Sequence, residues 1–429
     1  MPLSNALYSS VAGLDTTSTA ISVIGDNIAN VNTTGFKERR AEFSDVLGQT
    51  ITAAAGFSSV GAGSKLNRVS TVFGQGTFES TGRSTDLAIQ GQGFFILDGV
   101  NGRNYSRAGV FDIDSQGTLV NPSGLRVQGF GIDPTTNLPN GQLGDINIST
   151  AFSPPNPTSN YEISLNLDPA ADTLVGPYDP TNPVQSTTYS TSATFFDSLG
   201  SEHFATLRFN RTGAGTWDWV AVLDAADTTI APPPGSNEVV QGSGSLTFDS
   251  DGQLTSAAGS PVTFEFSGGA TPGQVVDIDF GPILGAGVPV TTSYAASEST
   301  VNNFTQDGFA AGTLQSIGVG PDGIVSGSFS NGETLGLAQV ALASFANVEG
   351  LTAVGNNNLQ ESRSSGQALI SGPGSGSFGT IRASSLEQST VDLAAQFVRL
   401  IVNQRAFQAN TRTVSVTNEL LANLVALGQ

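Results

Sequence analysis

Residues 26–37, Asp26-Asn-Ile-Ala-Asn-Val-Asn-Thr-Thr-Gly-Phe-Lys37, end a long segment with periodic apolar residues. Asparagine and threonine side chains form hydrogen bonds with nearby backbone groups, and so they compete with a helix. Gly35 can adopt the left-handed conformation that commonly follows a helix. The stretch therefore predicts that the first helix ends near Val31 and that a different structure begins immediately after it.

The apolar residues before this stretch recur every seven positions, which is the spacing of a coiled coil. The pattern predicts a helix over residues 2–31 with one apolar stripe. Such a stripe needs a partner, either in the same chain or in another copy. The stripe consists of Leu7, Leu14, Ile21 and Ile28.

The C-terminus repeats this spacing. Residues 385–427 contain neither glycine nor proline and predict a second long helix. We expect its apolar residues to pack against the N-terminal stripe and against other copies of the chain. An ordinary helix pair that closes one domain would also satisfy both stripes. The residues that recur every seven positions are Leu386, Leu393, Leu400, Phe407, Val414 and Leu421, and Phe397 lies four positions after Leu393. All of them except Leu386 are proposed packing positions.

The residues between the two helices predict strands. Residues 188–196, 203–209 and 217–223 alternate between apolar and polar side chains, with turns between them, and so predict an antiparallel meander. Shorter alternating runs occupy 73–146 and 300–380. We predict a multidomain, mainly β protein whose N- and C-terminal α-helices form a coiled-coil-like layer.

Charge is distributed unevenly along the 429 residues, whose net charge is −20. Residues 147–299 carry 16 acidic and two basic side chains, whereas residues 1–40 and 383–429 are each neutral. The few basic residues are scattered, which argues against a nucleic-acid interface. No run approaches 18 apolar residues, and no cleavable signal segment is apparent.

Side chains for catalysis or metal binding are scarce. The chain has one histidine and no cysteine, so the sequence predicts neither a zinc cluster nor a thiol nucleophile. The acidic turns at 112–117 and 249–252 lack the later bidentate glutamate of a calcium loop, and they predict hairpins. The many acidic residues leave open a catalytic pair of carboxylates for glycoside hydrolysis, although no particular pair stands out in the sequence. We predict no catalytic residue, no cofactor and no metal, and therefore no enzyme.

Several stretches together resemble the bacterial flagellar rod and hook proteins. Residues 27–37 are similar to the N-terminal signature of that family, in which we assign Asn27, Asn30, Gly35 and Phe36 as motif residues. Residues 385–393 and 404–410 are similar to its C-terminal signature. The other stretches that resemble the family are 82–95, 105–112 and 343–351.

The resemblance implies a layered arrangement around a tube. Residues 1–31 with 383–429 would form an inner helical layer, joined by an extended connector of residues 32–72 with 376–382. Residues 73–146 with 300–375 would form an inner β domain. Residues 147–299 would form an outer inserted β domain, and this insertion favours the hook over the shorter rod proteins.

The implied function is that of a structural subunit in bacterial motility. It would polymerise into the tubular hook, a flexible joint that transmits torque from the rod to the filament. Implied partners are other copies, the distal rod, the hook cap, the hook–filament junction proteins and the type III export apparatus, with no nucleic acid and no membrane insertion. The subunit would be extracellular and exported without a cleaved signal peptide. The alternatives are a distal rod subunit or, in another class, an extracellular β-rich adhesin or sugar-acting protein.

A second stripe on the C-terminal helix is polar and uncharged. Its members recur every seven residues, and two roles fit them. They could form an ordinary solvated helix face, or they could face a channel along which an unfolded chain slides without sticking. The members are Gln396, Asn403, Asn410 and Thr417.

Overall fold

The structure is a computed structural model that describes residues 2–47, 50–53, 56–59, 61–100, 102–133, 136, 138–148, 151–174, 176–283, 290–295 and 298–427. It divides into two compact units. Unit 1 comprises residues 1–151, 316–328 and 334–429, and unit 2 comprises 152–315 and 329–333. Helix α1 (Pro2–Ala29) and helix α2 (Leu393–Leu427) both belong to unit 1, whereas the rest of the described secondary structure is almost entirely strand. This confirms the predicted mainly β fold with a helix at each end.

Helix α1 ends where the asparagine-rich stretch predicts. The Asn30 side chain donates a hydrogen bond to the carbonyl oxygen of Asp26 at 2.9 Å, so it takes up a backbone group at the end of the helix. Gly35 follows with φ of +70°, a conformation that favours glycine. The strands after it in unit 1 are β1 (Arg39–Asp45), β2 (Thr50–Ala53), β3 (Gly56–Ser59), β4 (Ser64–Thr71), β5 (Phe78–Ser80), β6 (Leu87–Gln90), β7 (Phe94–Gly99), β8 (Gly102–Ser106), β9 (Asp112–Ile113), β10 (Leu119–Val120), β11 (Arg126–Ile132) and β12 (Pro139–Asp145).

The stretch 32–72 turns back on itself, where the sequence predicts an extended connector. Strands β1 and β4 pair antiparallel from Arg39↔Thr71 to Asp45↔Ser64. The ladder contacts α1, since the hydroxyls of Thr16 and Ser64 lie 3.2 Å apart. The prediction missed this ladder because the glycine and serine residues between its strands resemble a linker, while the pairing itself depends on residues about 20 to 30 positions apart.

Unit 2 contains two sheets. Its strands are β13 (Phe152–Ser153), β14 (Asn160–Asn166), β15 (Tyr189–Phe196), β16 (Glu202–Gly213), β17 (Thr216–Asp224), β18 (Glu238–Phe248), β19 (Leu254–Ala258), β20 (Val262–Phe264), β21 (Gln274–Asp279) and β22 (Thr300–Gln306). The first sheet has the order β15-β16-β17-β18-β19, and its antiparallel β15, β16 and β17 confirm the predicted meander. The second sheet has the order β20-β21-β14-β22.

The core of unit 2 is rich in aromatic side chains. Trp217 and Trp219 are fully buried on the inner face of β17, because residues two apart on a strand point to the same side. The ring centroids of Trp219 and Phe280 lie 5.1 Å apart. These contacts assign both tryptophans to the core.

The chain then completes the β part of unit 1. The remaining strands are β23 (Gly312–Val319), which begins in unit 2, β24 (Ile324–Phe329), β25 (Thr334–Val340), β26 (Leu342–Ser344), β27 (Thr352–Gly355), β28 (Asn358–Gln360), β29 (Leu369–Ser371), β30 (Thr380–Ala383) and β31 (Ser385–Glu387), with a short 3-10 helix at Val348–Gly350. The sheet of unit 1 includes the neighbouring strands β25-β11-β7-β8-β28-β27. Phe94, Tyr105 and Phe345 form part of its buried core.

The start of helix α2 differs from the prediction. Leu386 lies in β31 and pairs with Glu79 of β5, so the helical repeat does not extend back to it. Asp392 begins the helix instead, because its Oδ1 accepts hydrogen bonds from the backbone amides of Ala394 at 2.9 Å and Ala395 at 3.2 Å. The helix prediction was therefore wrong for residues 385–392.

Candidate assembly surface

Helices α1 and α2 pack against each other in antiparallel directions. A Cβ atom placed on Gly13 would lie 2.6 Å from the side-chain nitrogen Nδ2 of Asn410, so glycine permits the two helices to approach closely there. Near the other end of α1, Asn27 Nδ2 donates to Gln396 Oε1 at 3.3 Å. Gly13, near the middle of α1, therefore meets Asn410 near the middle of α2. Asn27, near the end of α1, meets Gln396 near the start of α2, so the two helices run in opposite directions.

The polar stripe of α2 lies in this seam. Gln396 and Thr417 are 1% and 4% exposed, and Asn403 and Asn410 are half-buried. Buried amides and hydroxyls need hydrogen-bond partners, and Thr417 finds one in the carbonyl oxygen of Thr413 at 2.7 Å. Gln396 donates to Glu38 Oε1 at 3.0 Å, and Asn403 donates to the carbonyl oxygen of Arg399 at 2.8 Å. This burial does not fit the predicted exposure of the stripe to a channel, because Gln396 and Thr417 have almost no surface left to present.

The apolar positions divide into two groups. Those that flank the seam are half-buried: Leu7, Leu14, Ile21, Ile28, Leu400, Val414 and Leu421. Others project away from it and stay exposed, including Leu393 at 40%, Phe397 at 49% and Phe407 at 38%. Further exposed apolar residues on α2 are Val398, Ile401, Val402, Val416 and Leu420. A surface helix normally hides such side chains, so this face of α2 has no covering partner among the described residues.

The motif residues of the opening stretch connect α1 to strand β1. Asn27 is buried and bonds both backbone groups of Arg39, accepting from its N–H at 2.9 Å and donating to its carbonyl oxygen at 2.8 Å. Phe36 is buried, with the guanidinium carbon of Arg39 5.7 Å from its ring centroid. Gly35 faces the backbone of Ala108 so closely that a Cβ atom would lie 2.6 Å from its nitrogen. These contacts explain why the stretch carries asparagine, glycine and phenylalanine.

Glu387 anchors the segment that leads into α2. Its carboxylate is fully buried and lies 2.6 Å from Lys37 Nζ and 3.5 Å from an Arg107 nitrogen. It also accepts hydrogen bonds at 2.7 Å from the Gln75 side chain and from the Gly76 amide. The carboxylate thus joins β31 to Lys37, the last residue of the motif stretch, and to the β part of unit 1.

Burial governs the two cations around this carboxylate. Burial lowers the pKa of Lys37, although the hydrogen bond and charge of Glu387 act in the opposite direction. Burial likewise lowers the pKa of Arg107 against the attraction of Glu387. The sequence analysis missed this cluster. Its signals were Lys37 at the end of the motif stretch and Glu387 inside the C-terminal signature, separated by 350 positions.

Comparison with known proteins accounts for most of the chain. Sequence profiles described as the flagellar hook protein FlgE/F/G D1 domain and the flagellar basal body protein FlaE D2 domain match residues 88–164 and 160–309. Profiles of the flagella basal body rod protein and of the flagellar basal body rod FlgEFG protein C-terminal region match residues 7–37 and 382–427. The flagellar hook protein FlgE of Treponema pallidum is 33% identical over 98% of this chain and 99% of its own. That of Escherichia coli is 34% identical over 98% of this chain and 100% of its own.

The chain belongs to the flagellar hook protein family. Its relatives carry the hook name over their full length, which supports the hook over the alternatives predicted from the sequence. The family is structural, and the prediction that the chain is not an enzyme is confirmed.

The described part of the chain contains neither a helix able to span a membrane nor a cluster of metal-binding side chains. None of its helices is long and apolar enough to cross a membrane. Within the same residues, no three histidine or acidic side chains are grouped as a metal site. The exposed apolar face of α2, with Phe397 and Ile401 about half exposed, is the candidate assembly surface.

Proposed function

We propose that this chain is the subunit that polymerises into the tubular hook of a bacterial flagellum, where it acts as a flexible joint that transmits torque. The observation that carries the proposal is the exposed apolar face of α2, with Phe397, Val398, Ile401 and Val402 each at least 49% exposed. Burying apolar surface between copies stabilises an assembly by about 25 cal/mol per Å². Because the chain belongs to the hook protein family, we infer that the assembly is the hook.

The distribution of charge supports this function. The terminal segments that contain α1 and α2 are neutral, so copies can pack there without a net repulsion. The acidic charge is concentrated in residues 147–299. In this proposal the helices form the cohesive layer of the tube, and the acidic insertion makes weaker contacts that shift as the tube bends.

The proposal also includes a position in the flagellum. The tube would be extracellular and would join the distal rod to the hook–filament junction proteins, with a cap at its growing end. Each subunit would leave the cell through the type III export apparatus without cleavage of a signal peptide. These partners come from the resemblance to the family, and binding assays with each of them would test this part separately.

Replacing Leu400 with aspartate should abolish long tubes. Leu400 is half-buried and lies one helical turn from Gln396 and Asn403 of the seam, so the new carboxylate would be partly desolvated there. Sedimentation and electron microscopy of the full chain should show tubes for the wild type and monomers or short fragments for the variant. Leu400→Met keeps an apolar side chain of similar volume at the same position and should leave tube length nearly unchanged. Equal tube lengths for Leu400→Asp and the wild type would contradict the role given to the helices.

Excising residues 154–311 should change the curvature of the tube more than its formation. Ser153 and Gly312 are partners across the antiparallel pair β13–β23, so an Asn-Gly turn can join them without strain. Both helices and the β part of unit 1 stay in the shortened chain. Electron microscopy should show tubes of altered curvature, with helical circular dichroism as the check on folding. A folded but entirely monomeric product would contradict the prediction.

A further inference from the structure

Helix α1 has a second stripe that points away from the seam. Tyr8, Val11, Asp15, Ser18 and Ser22 follow one another at coiled-coil spacing, and all are exposed. Tyr8 is 71% exposed and Val11 50%, which is unusual for large apolar side chains. Helix α1 contains no basic residue, so its outer stripe is apolar and acidic. We call these five residues the α1 outer stripe.

Helix α2 has a matching stripe of the opposite charge. Its members also recur at coiled-coil spacing and are exposed. Among the described residues, neither Arg405 nor Arg412 forms an ion pair, and Asp15 of α1 has none either. The α2 outer stripe consists of Val398, Val402, Arg405, Ala409, Arg412 and Val416.

The register of the two helices brings these charges to one level. Because Gly13 meets Asn410 and Asn27 meets Gln396 across the antiparallel pair, Asp15 is level with Gln408. That level is midway between Arg405 and Arg412. By the same register Tyr8 is level with Ser415, next to Val416 of the α2 outer stripe.

One chain leaves its own two outer stripes apart, because both are exposed while the helices meet along the other seam. A second copy placed beside the first, with little shift along the helix axes, brings an α1 outer stripe against an α2 outer stripe. We propose that this contact joins neighbouring copies, with Asp15 of one copy between Arg405 and Arg412 of the next. The contact joins two different surfaces, so it can be repeated from copy to copy without closing a dimer.

The inference rests on the proposed assembly and gives it a specific interface. Apolar contacts at Tyr8, Val11 and Val416 would supply cohesion, because side chains that are half or more exposed become buried. The carboxylate and two guanidinium groups would set which surfaces meet and at what level. Because water is partly excluded between packed helices, these charges interact more strongly there than in the free subunit.

Charge reversal of the full chain tests the contact. Asp15→Arg and the double variant Arg405→Glu/Arg412→Glu should each raise the concentration needed for seeded tube growth at least about tenfold, equivalent to about 1.4 kcal/mol per contact. Combining all three changes restores opposite charges and should return that concentration to within about threefold of the wild type. All these positions are exposed, so the free subunits should keep their helical circular dichroism.

Glu419→Arg is the matched control. Glu419 is exposed on α2 close to the outer stripe but away from the level of Asp15, and it should neither impair growth nor rescue the arginine double variant. If the reversed charges leave growth unchanged, or if Glu419→Arg rescues Arg405→Glu/Arg412→Glu, this interface is overturned while the proposed function stands. If wild-type subunits fail to extend seeds, the proposed function fails, and this interface fails with it.

Discussion

Replacing Glu387 with alanine should lower the free energy of unfolding of unit 1 by about 3–5 kcal/mol, the usual cost of breaking a buried ion pair. The Glu387 carboxylate is fully buried between Lys37 and Arg107, whose exposed fractions are 6% and 12%. Without it, two buried cations lose their counter-charge, and the amide of Gly76 loses its acceptor. The backbone of the segment that leads into α2 would keep its pairing with β5 and hydrogen bonds such as that from the Gly35 amide to the Glu387 carbonyl oxygen at 2.8 Å, so the loss falls on the side-chain cluster.

Two spectroscopic signals separate this effect from changes in unit 2. Both tryptophans of the chain, Trp217 and Trp219, lie in unit 2, whereas α1 and α2 lie in unit 1. In urea, Glu387→Ala should shift the loss of helical circular dichroism to lower concentrations and leave the tryptophan fluorescence transition nearly unchanged. Asp112→Asn breaks the exposed pair with Arg83, which solvent screens, and it should leave both unfolding transitions nearly unchanged. A Glu387→Ala variant as stable as Asp112→Asn would show that the buried cluster does not hold unit 1 together.

The terminal helices show what a periodic pattern can and cannot reveal. The end of α1 was predictable because its signals are local: the asparagines, threonines and Gly35 act within a few residues. The start of α2 was not, because Leu386 continues the seven-residue repeat while it pairs with Glu79, more than 300 positions earlier. Non-local pairing overrides a helical pattern when the extended segment gains backbone hydrogen bonds to a distant strand.

The sequence predicted the presence of α2, but it did not predict which face of the helix packs against α1. Its sequence carries an apolar and a polar seven-residue repeat, and a helix with two repeats does not reveal which one meets its neighbour. The structure places the polar repeat toward α1, because α1 offers Gly13 opposite Asn410 and Asn27 opposite Gln396. Glu387 was missed for a related reason. A single glutamate in a sequence does not indicate a buried ion pair, because Lys37 and Arg107 come beside Glu387 only in the folded chain.

Replacing Trp219 with alanine should lower the free energy of unfolding of unit 2 by about 3–5 kcal/mol, because a fully buried aromatic side chain leaves a large cavity. Its Nε1 donates to the carbonyl oxygen of Ala258 at 3.1 Å, so the change also removes a hydrogen bond between β17 and β19. The remaining Trp217 reports the transition by fluorescence in urea. A shift equal to less than about 1 kcal/mol would contradict the role of this side chain in the core.

Two conservative variants isolate the hydrogen bond from the packing. The Nε1 of Trp217 is buried and donates to no described protein group, unlike that of Trp219. Trp217→Phe removes a donor that is unsatisfied, whereas Trp219→Phe removes one that is bonded, so the second change should cost about 1–2 kcal/mol more. Equal losses in the free energy of unfolding for the two variants would show that packing, and not the hydrogen bond, determines the cost. The exposed faces of α1 and α2 lie in unit 1, so all three tryptophan variants should still extend seeds at temperatures where unit 2 stays folded.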